Sequence, residues 1–248
     1  MLRDTAAVFT RQLRLSLRSP FWILFGLFQP VVFLAFYGPL MTRALADLPA
    51  RQAWQLFVPG VLVQLSLFGS VFVGFAVIAE WRAGVVERMR VTPVSRLALL
   101  LGRVLRDVLV VLVQAALLLA VAVPFGLRAG VGGVLLALAF VGLMALSLTA
   151  LSYGLGLALR SEDAMAPVLN TALMPLLLLS GVFLPMTLAP AWLRDLSLAN
   201  PFRYVVEAIR SAFAGDLGST AVLRGGAVLV LLAVLCVGYG ARTFRQQS

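Results

Sequence analysis

Apolar residues run in six long stretches along this chain, at 21–41, 56–79, 105–125, 131–159, 164–186 and 221–239, with polar residues collected between them. Each stretch reaches the roughly 20 residues that an α-helix needs to cross the hydrocarbon of a bilayer. A backbone at that depth must satisfy its own polar groups, so runs this long are predicted to be helical. The stretch 131–159 exceeds the requirement and predicts a tilted helix, or one that extends past the bilayer. The pattern predicts an all-α, polytopic membrane protein of six transmembrane helices in a single domain, 1–248.

Two shorter segments carry a helical stripe instead. Before Pro20, Leu2, Ala6, Phe9, Leu13 and Leu17 share one face, and Arg3, Arg11, Arg14 and Arg18 cluster well round from it. Segment 1–19 is predicted to be an amphipathic helix in the membrane interface, its guanidinium groups among the lipid phosphates. A basic flank that only sets topology is the plainer alternative. Within 187–219, Asn200 and Pro201 open a helix as N-cap and first-turn proline. Phe202, Val205, Val206, Ile209 and Phe213 form its apolar stripe, opposite Arg203, Glu207 and Arg210, which are spaced to pair along the helix. Gly215 is the expected stop. At about 14 residues this helix is too short to span. It is expected to cover the outer loop, or to dip into the membrane and return.

Composition agrees with the pattern. The chain of 248 residues is 62% hydrophobic and 12% charged, with a mean hydropathy of +1.02; a soluble fold of this size cannot hide so much apolar surface. The net charge of +10 comes from arginine alone, since Lys and His are absent. These arginines fall between apolar runs, as the positive-inside rule and anionic headgroups require, and not in a stripe for nucleic acid. With both termini on one side, that side holds Arg3, Arg11, Arg14, Arg18, Arg82, Arg88, Arg90, Arg96, Arg103, Arg106, Arg160, Arg242 and Arg245. The other side holds Arg43, Arg51, Arg128, Arg194, Arg203, Arg210 and Arg224. Both termini are therefore predicted to be cytoplasmic. The first apolar run reaches spanning length and lacks a clear cleavage site, so it does not read as a removable signal.

Missing residue types exclude much chemistry. Without Lys there is no Walker loop, and without His neither a Ser-His-Asp triad nor the usual zinc site. The single cysteine, Cys236, reads as a small core residue. All ten acids lie at or near predicted span ends, which leaves a proton relay without members. An ion-coupled secondary transporter or channel is thus the weaker alternative, and an intramembrane enzyme weaker still. Inside the spans, Ser66, Ser70 and Gly74, and Ala150, Gly154 and Ala158, place small side chains at four-residue steps for close helix packing. Gln29, Gln64, Gln114, Asn170 and Thr171 are polar at depth and are expected to face the bundle or a cavity. Of these, Gln29, Gln64, Asn170 and Thr171 are candidates for a substrate pathway.

The most charged segment is 80–96, between spans two and three: Glu80, Arg82, Glu87, Arg88, Arg90 and Arg96, with Pro93 as a helix stop and Ser95 as a cap. Its charge pattern alone fits a docking element or a solvated loop equally. The stretch Glu80-x-x-x-Gly84-x-x-Glu87-Arg88, then Val91-Thr92-Pro93-Val94-Ser95-Arg96 and Leu101-Gly102-Arg103, resembles the coupling-helix region of type-2 ABC transporter permeases. The runs Leu179-Ser180-Gly181-Val182-Phe183-Leu184-Pro185, Pro190-x-Trp192-Leu193 and Asn200 to Arg210 resemble the C-terminal signature of the same family, closest to its daunorubicin-resistance-type drug exporters.

That resemblance implies a coupling helix in which Glu80, Arg82, Gly84, Glu87, Arg88 and Arg90 meet a separate ATPase subunit. It implies a short re-entrant element between spans five and six, marked by Asn200, Pro201, Phe202, Tyr204 and Glu207. It further implies pairing with a second copy or a similar permease, ATP and Mg held by the ATPase partner, no cofactor in this chain, and residence in a bacterial cytoplasmic (inner) membrane. The implied activity is export of a hydrophobic or amphiphilic substrate such as a drug, antibiotic, lipid or glycan.

Overall fold

The computed structural model describes residues 2–18, 21–44, 49–83, 96–183 and 185–246, and among them the ordered elements are all helical. In chain order they are α1 (Leu2–Arg18), α2 (Phe21–Ala44), α3 (Ala50–Val71), α4 (Gly74–Arg82), α5 (Arg96–Ala122), α6 (Val131–Leu159) and α7 (Glu162–Leu179). A 3-10 turn, Met186–Leu188, then leads to α8 (Ala191–Ser197), α9 (Pro201–Phe213) and α10 (Thr220–Gln246). Among the described residues, five stretches are long and apolar enough to cross a membrane: Ala50–Arg82, Ala98–Ala122, Val131–Leu159, Glu162–Leu179 and Thr220–Thr243. Helix α2 has 24 residues and covers the first predicted run.

Helix α6 is the centre of the bundle, packed by α3, α4, α5, α9 and α10. Small residues set how closely its neighbours approach. A Cβ on Gly156 would lie 2.6 Å from the Gly74 carbonyl oxygen, and one on Gly240 would lie 2.7 Å from that of Ala150. Backbones meet directly at these two crossings, as small residues in membrane helices permit. Ala150 and Gly154 are buried as expected; Ala158 is exposed.

The second predicted run, 56–79, is not one straight helix. It starts earlier, at Ala50, and breaks at Phe72–Val73 into α3 and α4. The break is filled from outside: Ser152 Oγ on α6 accepts from Gly74 N at 2.9 Å and donates to the Val71 carbonyl at 2.5 Å. A side chain inserted into the i→i−4 ladder is a recognised cause of a helix bend.

The fifth run also differs from the expectation of 164–186. Ser161 caps α7, accepting from Ala164 N at 3.4 Å, and Arg160 supplies the left-handed turn after α6 with φ 52°. Helix α7 stops at Leu179, short of Met186. Pro167 and Pro175 each lack the N–H that would continue the ladder, and Gly181 turns the chain at φ 75°.

Candidate functional site

At the C-terminal end of α4, three consecutive residues each hold a different part of the bundle. Glu80 pairs with Arg103 on α5 at 2.6 Å, with Arg103 nearly buried and Glu80 about one-third exposed. Trp81 lies beneath Arg160, whose guanidinium carbon is 5.2 Å from the ring centroid. Arg82 reaches Glu162 at the start of α7, at 3.5 Å and largely in solvent. Of the residues expected to meet an ATPase, Glu80 and Arg82 are therefore engaged within the chain; Gly84, Glu87, Arg88 and Arg90 lie outside the described residues, as do Pro93 and Ser95.

The Glu80–Arg103 pair opens onto a larger polar cluster. Arg106 donates through Nε to Ser16 Oγ of α1 at 2.6 Å and pairs with Asp107. Tyr153 on α6 donates to the other Asp107 oxygen at 2.6 Å. Gln12, Ala76, Glu80, Arg103, Arg106 and Tyr153 enclose a cavity of about 120 Å³. Two arginines and two carboxylates balance in charge, which is the condition for keeping ions out of water at tolerable cost. Asp107 corrects the expectation that acids keep to span ends: it is 4% exposed and lies inside the spanning stretch Ala98–Ala122. Arg103, Arg106 and Asp107 at steps of three and four do mark one polar face of α5 in the sequence. Nothing local says that α1, α4 and α6 converge on it.

Helix α1 presents part of its stripe to protein. A Cβ on Gly102 of α5 would lie 2.7 Å from Val8 and 3.1 Å from the Phe9 backbone nitrogen. Phe9 and Leu13 are half-buried, Ala6 is exposed, and Arg11 and Arg14 are exposed on the far side.

The opposite end carries a cap in which side chains close off helix termini. Asn200 serves two helices: Oδ1 accepts from Phe202 N at 3.0 Å as the N-cap of α9, and Nδ2 donates to the Leu176 carbonyl near the end of α7 at 2.6 Å. Arg203 bonds Glu207 at 2.8 Å, the Arg194 carbonyl at 3.0 Å and Ser197 Oγ at 2.6 Å. Tyr204 donates to the Leu198 carbonyl at 2.9 Å. Phe202 is buried and Pro201 half-buried.

Arg210 departs from the expected polar face. It turns inward and donates to the Leu56 carbonyl at 2.8 Å and the Gly181 carbonyl at 2.7 Å, tying α9 to α3 and to the turn after α7. Burial pushes its pKa down to about 10 while Glu207 works the other way, so it stays cationic near neutrality. Replacing Asn200 by Ala should cost about 1–2 kcal/mol, the worth of an N-cap together with a lost donor. Asn200→Asp keeps the cap without the donor and should melt between wild type and Asn200→Ala in detergent; a melt equal to wild type would show that the bond to Leu176 contributes nothing.

The candidate pathway residues divide. Gln64 is buried on α3, and its Oε1 has no hydrogen-bond partner among the described residues. Gln114 is buried too, so close to α2 that a Cβ on Gly26 would lie 2.5 Å from its Nε2. Gln29 on α2 and Asn170 and Thr171 on α7 are exposed. These three lie on faces that this chain by itself leaves open, since the stretch Glu162–Leu179 is only 22% buried. Above them Phe33 stacks on Tyr37 at 4.8 Å and meets Phe57 at 5.7 Å and Phe183 at 5.8 Å, joining α2, α3 and the turn after α7.

Known proteins share this layout's sequence. The chain matches the ABC-2 type transporter family over residues 3–214. It is 29% identical over 222 residues to the daunorubicin resistance ABC transporter permease protein DrrB1 of Streptomyces coeruleorubidus, covering 88% of this chain and 76% of that protein. It is 26% identical over 198 residues to the putative transport permease ycf38 of Cyanophora paradoxa, covering 78% and 68%. Against the probable multidrug ABC transporter permease YbhS of Escherichia coli K12 it is 30% identical over 192 residues, which is 75% of this chain and 49% of that one. With a match across most of its length and an all-helical, multi-pass architecture, this chain belongs to the ABC-2 type transporter family as a transmembrane permease subunit.

Proposed function

We propose that the chain forms half of the conducting path of an ABC exporter and is driven by a separate ATPase subunit that holds ATP and Mg. The observation that carries this reading is a Lys-free chain, unable to build a Walker loop, whose charged segment 84–95 leaves a bundle end fixed by Glu80, Trp81 and Arg82. In this reading Gly84, Glu87, Arg88 and Arg90 form the face that meets the ATPase. Helix α2 is the sixth span, both termini are cytoplasmic, and the membrane is the bacterial inner membrane. The arginine distribution supports that orientation.

A second permease, a copy of this chain or a similar one, would cover α2 and α7. Gln29, Asn170 and Thr171 are exposed there, and amides and hydroxyls facing lipid tails are costly. Between two such faces they would line a path with Gln64 behind them, suited to a hydrophobic or amphiphilic substrate such as a drug, antibiotic, lipid or glycan. The turn after α7 and helix α9 would be the re-entrant element at the outer exit.

The test is co-purification of the permease with an ABC ATPase subunit co-expressed with it. Glu87→Arg should reduce the bound ATPase by roughly tenfold, a change of about 1.4 kcal/mol, with membrane insertion unchanged. Full retention of the ATPase would remove segment 84–95 from the interface. One observation favours an ion-coupled carrier instead: Asp107 is an acid inside a span. Its pairing with Arg106 and Tyr153 supports a structural role, and transport insensitive to a proton gradient would dispose of the alternative.

A further inference from the structure

We propose that α4 is a lever, pivoting at the break that Ser152 fills and gripped at its far end by Glu80 and Arg103, so that both limbs of the segment 84–95 move as one body and α5 follows α4. The inference rests on the proposed coupling to an ATPase, and it assigns positioning roles to Ser152, Glu80 and Arg103.

Three features combine to make a lever. The pivot is a true interruption: Phe75 N and Ala76 N reach Phe72 and Val73 carbonyls, three residues back, at 3.2 and 3.1 Å. Ser152 keeps Gly74 N and the Val71 carbonyl paired across the gap, so bending there strands neither of them. The bearing is close: Gly156 brings the α6 backbone against the Gly74 carbonyl, and only the Ser152 hydroxyl and the flexible Met165 side chain reach in beside Gly74. The arm is short and stiff, nine residues of helix from Gly74 to Arg82.

The grip decides where displacement goes. Residue 83 is the last described before the segment and residue 96 the first after it. Glu80 and Arg103 therefore bridge the two limbs from just inside each. Without that bridge a push on the segment would bend α4 at its pivot and leave α5 behind. With it, α5 is carried along, and Asp107–Tyr153 and Arg106–Ser16 present the motion to α6 and α1. The two other contacts at this end, Trp81 under the exposed Arg160 and the solvent-exposed Arg82–Glu162 pair, tie the lever to the end of α6 and the start of α7. Both are weak and are the ones that loosen as the lever moves.

The test uses the permease reconstituted with its ATPase, in a Cys236→Ala background, with the labelled permease diluted by unlabelled copies. Spin labels at Ala83→Cys and Ala158→Cys report the lever against α6; labels at Leu117→Cys and Leu135→Cys report α5 against α6. All four positions are exposed. In the parent protein, ATP with vanadate should shift both distances. In Glu80→Gln and Arg103→Gln the lever pair should still shift, while the α5 shift falls at least about fivefold. The swap of Glu80→Arg with Arg103→Glu should restore most of it, and Glu80→Asp, the mildest change, should reduce it partway.

A full α5 shift in all the Glu80 and Arg103 variants would overturn the grip. A static lever pair during ATP hydrolysis would overturn the lever. Failure of the ATPase to bind at all is read beforehand by co-purification, and it would overturn the proposed function instead.

Discussion

Gly74→Val should be the most damaging single substitution in the bundle. A Cβ at this position would lie 2.3 Å from the Ser152 carbonyl oxygen, 2.7 Å from Ser152 Oγ and 2.5 Å from Met165 Cε. The methionine can move, but the Ser152 backbone cannot without parting α4 from α6. Overpacking typically costs about 1–3 kcal/mol and occasionally more. A clash with backbone puts Gly74→Val at or above the top of that range, and it also drives the serine hydroxyl out of the break it fills. Detergent-solubilised Gly74→Val should elute as aggregate, or melt far below wild type. Gly238→Ala is the control: nothing lies within 4 Å of that Cβ position, and alanine is the better helix former, so its melt should equal or exceed wild type. Comparable melts for the two variants would contradict the α4–α6 contact.

Arg210→Ala is the second. It takes the guanidinium donors from the Leu56 and Gly181 carbonyls and frees the turn after α7 from α9. The buried Gly181 carbonyl is stranded, at about 1–3 kcal/mol, whereas the Leu56 carbonyl lies inside α3 and keeps its place in the helix ladder, so a loss of about 1–3 kcal/mol is expected. Arg210→Lys keeps the charge but cannot present two separated donors in a planar fork, so it should recover only part of the loss. Limited proteolysis between α7 and α9 reads the local effect apart from the global one. Cleavage should rise in Arg210→Ala well before the bundle melts; unchanged cleavage would mean that Arg210 does not secure this turn.

Much of the fold is legible because the bilayer demands it. Continuous apolar length predicts the helices that became α2, α5, α6 and α10, and Asn200-Pro201 marks the start of α9 at the expected residue. What the sequence hides is supplied from elsewhere in the chain. The break between α3 and α4 is held by Ser152, which is 78 residues from Gly74. Helix α7 ends early, and the Leu176 carbonyl near that end is met by Asn200, 24 residues on. Helical periodicity places Arg210 with Arg203 and Glu207, yet two distant carbonyls draw it inward. Arg103, Arg106 and Asp107 read as a polar edge until α1, α4 and α6 close over them. For Gln29, Asn170 and Thr171, polarity tells that lipid is the wrong neighbour and leaves open which protein surface replaces it.

The central claim is that the energy for transport enters through a separate ATPase acting on the cytoplasmic segment. Its most direct test is accumulation of fluorescent amphiphiles in inside-out proteoliposomes, measured with the permease alone and with the ATPase added. The account predicts accumulation only when both subunits and ATP are present, and no accumulation driven by a proton gradient through the permease alone. Equal accumulation by the permease alone, without ATP, would contradict it.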